Sequence, residues 1–126
     1  MAEERPPAWL ISEDGSPMLR AVHCPACGAD LFPAQRYGCI RCGAPGDSLE
    51  DTLLAARGTL VSFAVVQTHA SHPVPFTLAD LQLDAGPVVR AELSAGASPQ
   101  MGGRFAAVVV EDDRGGHLEF TPEPAR

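Results

Sequence analysis

The residues in this chain whose types and spacing define a chemistry are four cysteines, set as Cys24-Pro-Ala-Cys27-Gly28 and Cys39-Ile-Arg-Cys42-Gly43. No other cysteine is present, and eleven residues separate the two pairs. A two-residue spacer followed by glycine lets the backbone turn tightly and aim two thiolates at one ion. Two such knuckles complete a tetrahedral four-sulfur site. Zinc held by four protein ligands has no open position for water or substrate, so Cys24, Cys27, Cys39 and Cys42 predict a structural Zn2+ and argue against zinc chemistry. Rubredoxin-type iron uses the same knuckles, and spacing does not separate the two metals. Two disulfides are the competing use of four cysteines. The start Met1-Ala-Glu-Glu-Arg-Pro-Pro is charged and proline-rich, unlike a secretory leader, so the expectation is a reducing cytoplasm in which disulfides are rare. The lysine-free, Ala-, Gly- and Pro-rich composition suggests a GC-rich bacterial genome. A redox Cys-x-x-Cys comes singly beside a βαβ pattern, whereas here the motif is doubled and that pattern is missing.

Other candidate chemistry is sparse. There is no Gly-x-Ser-x-Gly elbow and no glycine fingerprint opening a helix. The chain has nine arginines and no lysine, which excludes a phosphate-loop lysine and a Schiff-base enzyme. His23 abuts the first knuckle and reads as its solvated neighbour. His69 and His72 flank the loop after the first long strand, where their spacing does not fix a shared face for a second metal. Asp80, Asp84, Glu111, Asp112 and Asp113 fall at strand ends, where acids keep edges and turns soluble. No catalytic residue is assigned.

The elements that must position the cysteines are read from composition and periodicity. At 126 residues the chain suits one domain with a small metal-stapled module. Its longest apolar run, Phe105 to Val110, suits a strand and is far short of a membrane span. Residues 1–17 read as a mobile N-terminal arm in which Trp9-Leu10-Ile11 docks on an apolar surface, its own or another's. Residues 18–47 read as the ribbon, with a strand over Met18–His23 and a hairpin containing Leu31, Phe32 and Tyr37 between the knuckles. So small a module has little core of its own and depends on metal. Residues 48–126 hold a segment over Ser48–Ala56 that fits either a helix or a strand, then β-branched and aromatic runs bounded by turns. These are Thr59–His69, Thr77–Asp84, Val88–Leu93, Arg104–Glu111 and His117–Phe120, followed by a short proline-rich tail. Five strands with unequal loops fit a small barrel such as an oligonucleotide/oligosaccharide-binding (OB) fold. The fold expectation is therefore mainly β: an N-terminal rubredoxin-like zinc ribbon followed by a five-stranded OB-fold barrel.

The order of these parts carries a resemblance. After the ribbon come Gly58-Thr59-Leu60-Val61-Ser62-Phe63-Ala64-Val65-Val66, then Pro75-Phe76, then Leu83-Asp84-Ala85-Gly86, then Met101-Gly102-Gly103-Arg104. Over residues 18–122 this resembles the zinc-ribbon/OB-fold family known as domain of unknown function thirty-five, associated with acyl-CoA enzymes. Three features depart from its usual pattern: Phe32-Pro33-Ala34-Gln35-Arg36 in place of a proline pair before arginine, Cys39-Ile40 in place of Cys-Pro, and Ala85 in place of an acid. The resemblance implies a non-catalytic accessory subunit of a thiolase-superfamily enzyme (thiolase, acyltransferase or aldolase). Such a subunit is inactive alone, required in a hetero-oligomer, and shares the CoA thioester substrate with its partner. Arg36 and Arg41, near the ribbon tip, are the candidate contacts to CoA phosphates. The alternative is a single-stranded nucleic-acid-binding module, since ribbons and OB barrels both serve that purpose. A net charge of −7 with few aromatics to spare from the core argues against it.

Overall fold

A computed structural model of the chain describes residues 8–113 and 115–123. The strands are β1 (Trp9–Ile11), β2 (Pro17–His23), β3 (Asp30–Leu31), β4 (Glu50–Ala55), β5 (Arg57–Val66), β6 (Phe76–Leu83), β7 (Val88–Glu92), β8 (Arg104–Val110) and β9 (His117–Pro122), with one 3-10 turn over Gly46–Ser48. Among the described residues they fall into two compact units, the first spanning residues 8–55 with 85–87 and the second the rest. No helix among the described residues is long and apolar enough to cross a membrane.

The first unit is organised by β2. One edge pairs along its length with β4, from Met18 opposite Ala55 to His23 opposite Glu50. The other edge is shared: β1 takes Pro17–Leu19 and β3 takes Val22 and His23. The sequence of β2, Pro-Met-Leu-Arg-Ala-Val-His, buries Leu19, Ala21 and Val22. Alternation sends Leu19 and Ala21 to one face, and Val22 joins a second cluster with Cys24, Ala29, Leu31, Cys39 and Leu49. Two expectations are revised. Trp9-Leu10-Ile11 is a paired strand of this sheet and not part of an arm, because Leu19, Met18 and Pro17 offer it an open edge. Residues 1–7 of that expected arm lie outside the described residues. The stretch between the knuckles is not a hairpin closed on itself: β3 pairs back onto β2, and the later part meets Pro45 only through a bridge at Gly38. Ser48–Ala56, open between helix and strand in the sequence, contains strand β4.

The second unit is a curled five-stranded sheet in the order β7-β6-β5-β8-β9, all neighbours antiparallel. Its two outer strands meet at a parallel bridge between Leu93 and Phe120, where the Ser94 N–H donates to the Phe120 carbonyl at 2.8 Å. Numbered within the sheet, the order is 1-2-3-5-4-1 with strands three and five parallel, the OB topology. Inside sit Leu60, Ala79, Leu81, Leu83, Val89, Leu93, Phe105 and Phe120, the inward members of alternating strands. The final residues 124–126 of the expected tail lie outside the described residues.

Candidate metal centre

Both knuckles fold by the same local bonds. The Cys24 N–H donates to the Ala29 carbonyl (2.8 Å) and the Gly28 N–H to the Cys24 carbonyl (2.7 Å). In the second knuckle the Cys39 N–H donates to Ala44 (2.9 Å) and the Gly43 N–H to Cys39 (2.9 Å). Each turn passes through a left-handed residue, Gly28 at φ 80° and Gly43 at φ 83°. Space is open around both α-carbons, so glycine is required there by conformation rather than by crowding.

The turns bring the four sulfurs within 4.8 Å of one another. Cys24 Sγ lies 3.6 Å from Cys42 Sγ, and Cys27 Sγ lies 3.7 Å from Cys39 Sγ. Four sulfurs at about 2.3 Å from one ion, tetrahedrally disposed, stand roughly 3.8 Å apart. The donor set therefore fits a closed tetrahedral ion such as zinc, and the predicted ligands are the residues the fold assembles. Cys24 and Cys39 are buried and Cys27 and Cys42 exposed, so the site sits at the rim of its own small core. Without a cation four thiolates cannot all carry charge at this distance. The Cys39 thiol is lowered to about 6, chiefly by the Cys42 backbone N–H. The Ala44 backbone N–H lowers Cys42, but the Cys24, Cys39 and Cys27 sulfurs and burial together push it up to about 12. A divalent ion removes this conflict, since it binds the deprotonated sulfurs.

Flanking residues hold the ribbon in shape. His23 Nδ1 lies 2.8 Å from Asp30 Oδ1, across β2 and β3, so His23 is partnered rather than merely solvated. The Gln35 side chain bonds its own loop three times, donating to the Gly38 carbonyl and accepting from the Tyr37 and Gly38 N–H groups. The two arginines expected near the tip differ. Arg36 donates to the Leu49 carbonyl at 2.6 Å and pairs with Asp51 on β4, which makes it a brace across the unit. Arg41 is exposed and forms no ion pair among the described residues. Beside it Tyr37 and Ile40 stand almost fully exposed. With Leu31, Phe32, Pro33 and Pro45 they line a shallow groove of about 580 Å³. Sequence reasoning placed Tyr37 within the ribbon hairpin and missed this apolar tip; a bulky apolar Ile40 inside the second knuckle was its available signal.

The second unit carries histidine–carboxylate pairs, one long-range in sequence and two local around His117. His72 Nε2 lies 2.7 Å from Glu92, and its ring packs edge-on against Phe76. His117 lies between Asp112 and Glu119, at 2.7 Å from each. Glu119 first, then Asp112, holds the His117 imidazolium above its ordinary value. His69 Nδ1 accepts from the Ser71 and His72 N–H groups, so it serves its own loop. Among the described residues only the four cysteines bring three or more ligand atoms together as a metal would need. Asp80 is paired with Arg90 and Asp84 with Arg104, and each carboxyl is lowered by its arginine.

No protein-family model and no curated protein matches the sequence. Among solved structures, the chain is similar to one chain of the Ltp2-ChsH2(DUF35) aldolase, at 23% identity and a TM-score of 0.66. The match covers 82% of this chain and 84% of that one. The likeness establishes a common fold, a cysteine ribbon followed in the chain by the curled barrel, and that neighbour carries the family designation to which the order of sequence motifs points.

Proposed function

We propose that this chain is a zinc-stapled, non-catalytic accessory subunit of a thiolase-superfamily enzyme acting on acyl-CoA thioesters. The observation that carries the reading is the fit of ribbon and barrel together to a chain of an aldolase assembly over four-fifths of both lengths, with four cysteines converging as a closed metal site. A closed site offers an ion no exchangeable position, so the metal supplies rigidity and the chemistry falls to the partner. A thiol complement gathered into one cluster, leaving no cysteine as a nucleophile, agrees with that division of labour. The ribbon tip is suited to contact: Gln35 and Arg36 fix its backbone, leaving Tyr37, Ile40 and Arg41 on display. Tyrosine and arginine are the residue types that anchor interfaces. Arg41, without a carboxylate partner among the described residues, is the group we assign to a CoA phosphate, and Arg36 is held back as its structural support. The reading puts the complex in the cytoplasm.

The test is purification of the tagged chain from its native host. A thiolase-superfamily polypeptide in fixed stoichiometry, with acyl-CoA turnover by the complex and none by the isolated chain, is the expected result. Turnover by the isolated chain, or recovery without such a polypeptide, would overturn the proposal.

A further inference from the structure

Strand β5 has one edge that nothing in the described chain pairs. On one side its residues Ser62–Val66 form a continuous ladder with Asp80–Phe76 of β6. On the other side pairing with β8 covers Arg57–Thr59, and Leu60 exchanges two bonds with Gly102 and Gly103, after which the ladder stops. The side chains along the open stretch are apolar and uncovered: Val61 is 41%, Phe63 40% and Val65 48% exposed, and Met101, next to the Leu60 bonds, 60%. Their direction follows from the register. Val61 falls at an irregularity in the ladder, after which Phe63 stands opposite Ala79 and Val65 opposite Thr77. Ala79 shares its face with core residues Leu81 and Leu83, so Phe63 and Val65 extend the core face past its cover. The strand itself and the loop before β8 are also uncharged, although Ser62 donates to Asp80 of β6 at 2.8 Å. From Gly58 to Thr68, and again from Leu93 to Gly103, there is no acidic or basic residue, in a chain that is 20% charged. Sheets normally protect such an edge with lysine, proline or an inward charge, and this one has none of them along Val61–Val66.

We infer that this edge is covered by the same edge of a second copy, the two β5 strands running antiparallel about Phe63. The stretch Val61-Ser62-Phe63-Ala64-Val65 reads almost the same in both directions by size and polarity. Antiparallel pairing sets Val61 against Val65, Ser62 against Ala64, and Phe63 against Phe63 of the other copy. Each cross-strand pair is apolar or small, and none places like charges together. An uncharged, extended, alternately apolar strand is what the edge lacks, and β5 itself is one. A five-residue pairing falls below the roughly 1,200 Å² of a lasting interface, so the dimer forms with a dissociation constant on the order of 10 to 100 μM. Two chains of net charge −7 repel each other at a distance, and added salt therefore tightens the dimer.

Sedimentation equilibrium of the full chain, from about 1 to 500 μM at low and raised salt, tests this directly. The expected result is a monomer–dimer equilibrium strengthened by salt and weakened at least ~10-fold by Val65→Lys and by Val61→Lys, each with an unchanged circular dichroism spectrum. Should a lysine variant unfold, amide exchange of the native chain decides: the amides of residues 61–66 must slow as concentration rises. A chain that stays monomeric throughout, as it would if a different protein covered the edge, overturns the inference. So does a dimer that both lysine variants leave intact.

Discussion

Replacing Cys42 by serine separates the metal's contribution from packing, because Cys42 is exposed whereas Cys24 is wholly buried and its loss would also disturb the core. The cluster around the site contains only three larger aliphatic side chains, Val22, Leu31 and Leu49. At about 1.5–3 kcal/mol for each buried side chain, they supply roughly 5–9 kcal/mol. A structural four-ligand zinc supplies about 10–16 kcal/mol, so an ion held there would stabilise this part of the unit more than the apolar packing of that cluster does. One ligand in four is worth roughly 3–4 kcal/mol of that, and Cys42→Ser should weaken metal binding about 100- to 1,000-fold. The measurements are metal content after purification without added metal, competition with a chromophoric chelator, and amide exchange. One zinc per native chain is expected. In the variant, or after chelation, protection should vanish from β2, β3 and β4 while β5 to β9 keep theirs. Less than half a zinc per native chain would refute the reasoning, as would binding to the variant within about tenfold of native. Unaltered protection of β2–β4 after chelation would refute it equally.

Three further outcomes follow from particular contacts. A β-carbon on Gly58 would lie 2.1 Å from the Gln82 carbonyl oxygen, a backbone atom that cannot swing aside, so Gly58→Ala should cost about 1–3 kcal/mol in denaturant unfolding. An unchanged midpoint would show that β5 and β6 can separate there freely. Because Glu119 and Asp112 raise the His117 imidazolium above 6.5, its pairing stabilises the fold fully below that pH and the contribution fades as pH rises through the raised value. An NMR titration should place the His117 midpoint above 6.5 and show it falling in Glu119→Gln; a native midpoint at or below 6.5 contradicts the geometry. Arg36→Ala, which breaks the link to Leu49 and Asp51, should lower the stability of the first unit, whereas Arg41→Ala should leave stability unchanged and raise the KM of the assembled enzyme for CoA thioesters. Equal stability losses in the two variants would mean the arginines are not divided between support and contact.

The metal site was legible because its geometry is local. Each Cys-x-x-Cys-Gly turn is closed by bonds within six residues, so spacing alone dictates where the paired sulfurs point. The strands of the barrel were legible for a similar reason: β-branched runs between turn residues restrict the backbone wherever they occur. What bonds across distance was not. Trp9-Leu10-Ile11 became a strand because β2 had an edge to give, and β3 turned back to that same strand in place of closing a hairpin. Ser48–Ala56 had no decisive periodicity, and pairing with β2 made its β4 portion a strand.

The same division runs through the candidate contacts. By themselves the residues determined that four thiolates would converge and that the chain would be built of strands. Arg36 and Arg41 are one residue type five positions apart, and only the fold made one a brace, by bringing Leu49 and Asp51 within reach, and left the other without an ion-pair partner among the described residues. His72 with Glu92 and the bare edge of β5 likewise depend on which strands end side by side. Spacing along the chain settles a short turn, whose few torsions have one compact solution; a contact between strands depends on their order and register, which only the assembled sheets decide.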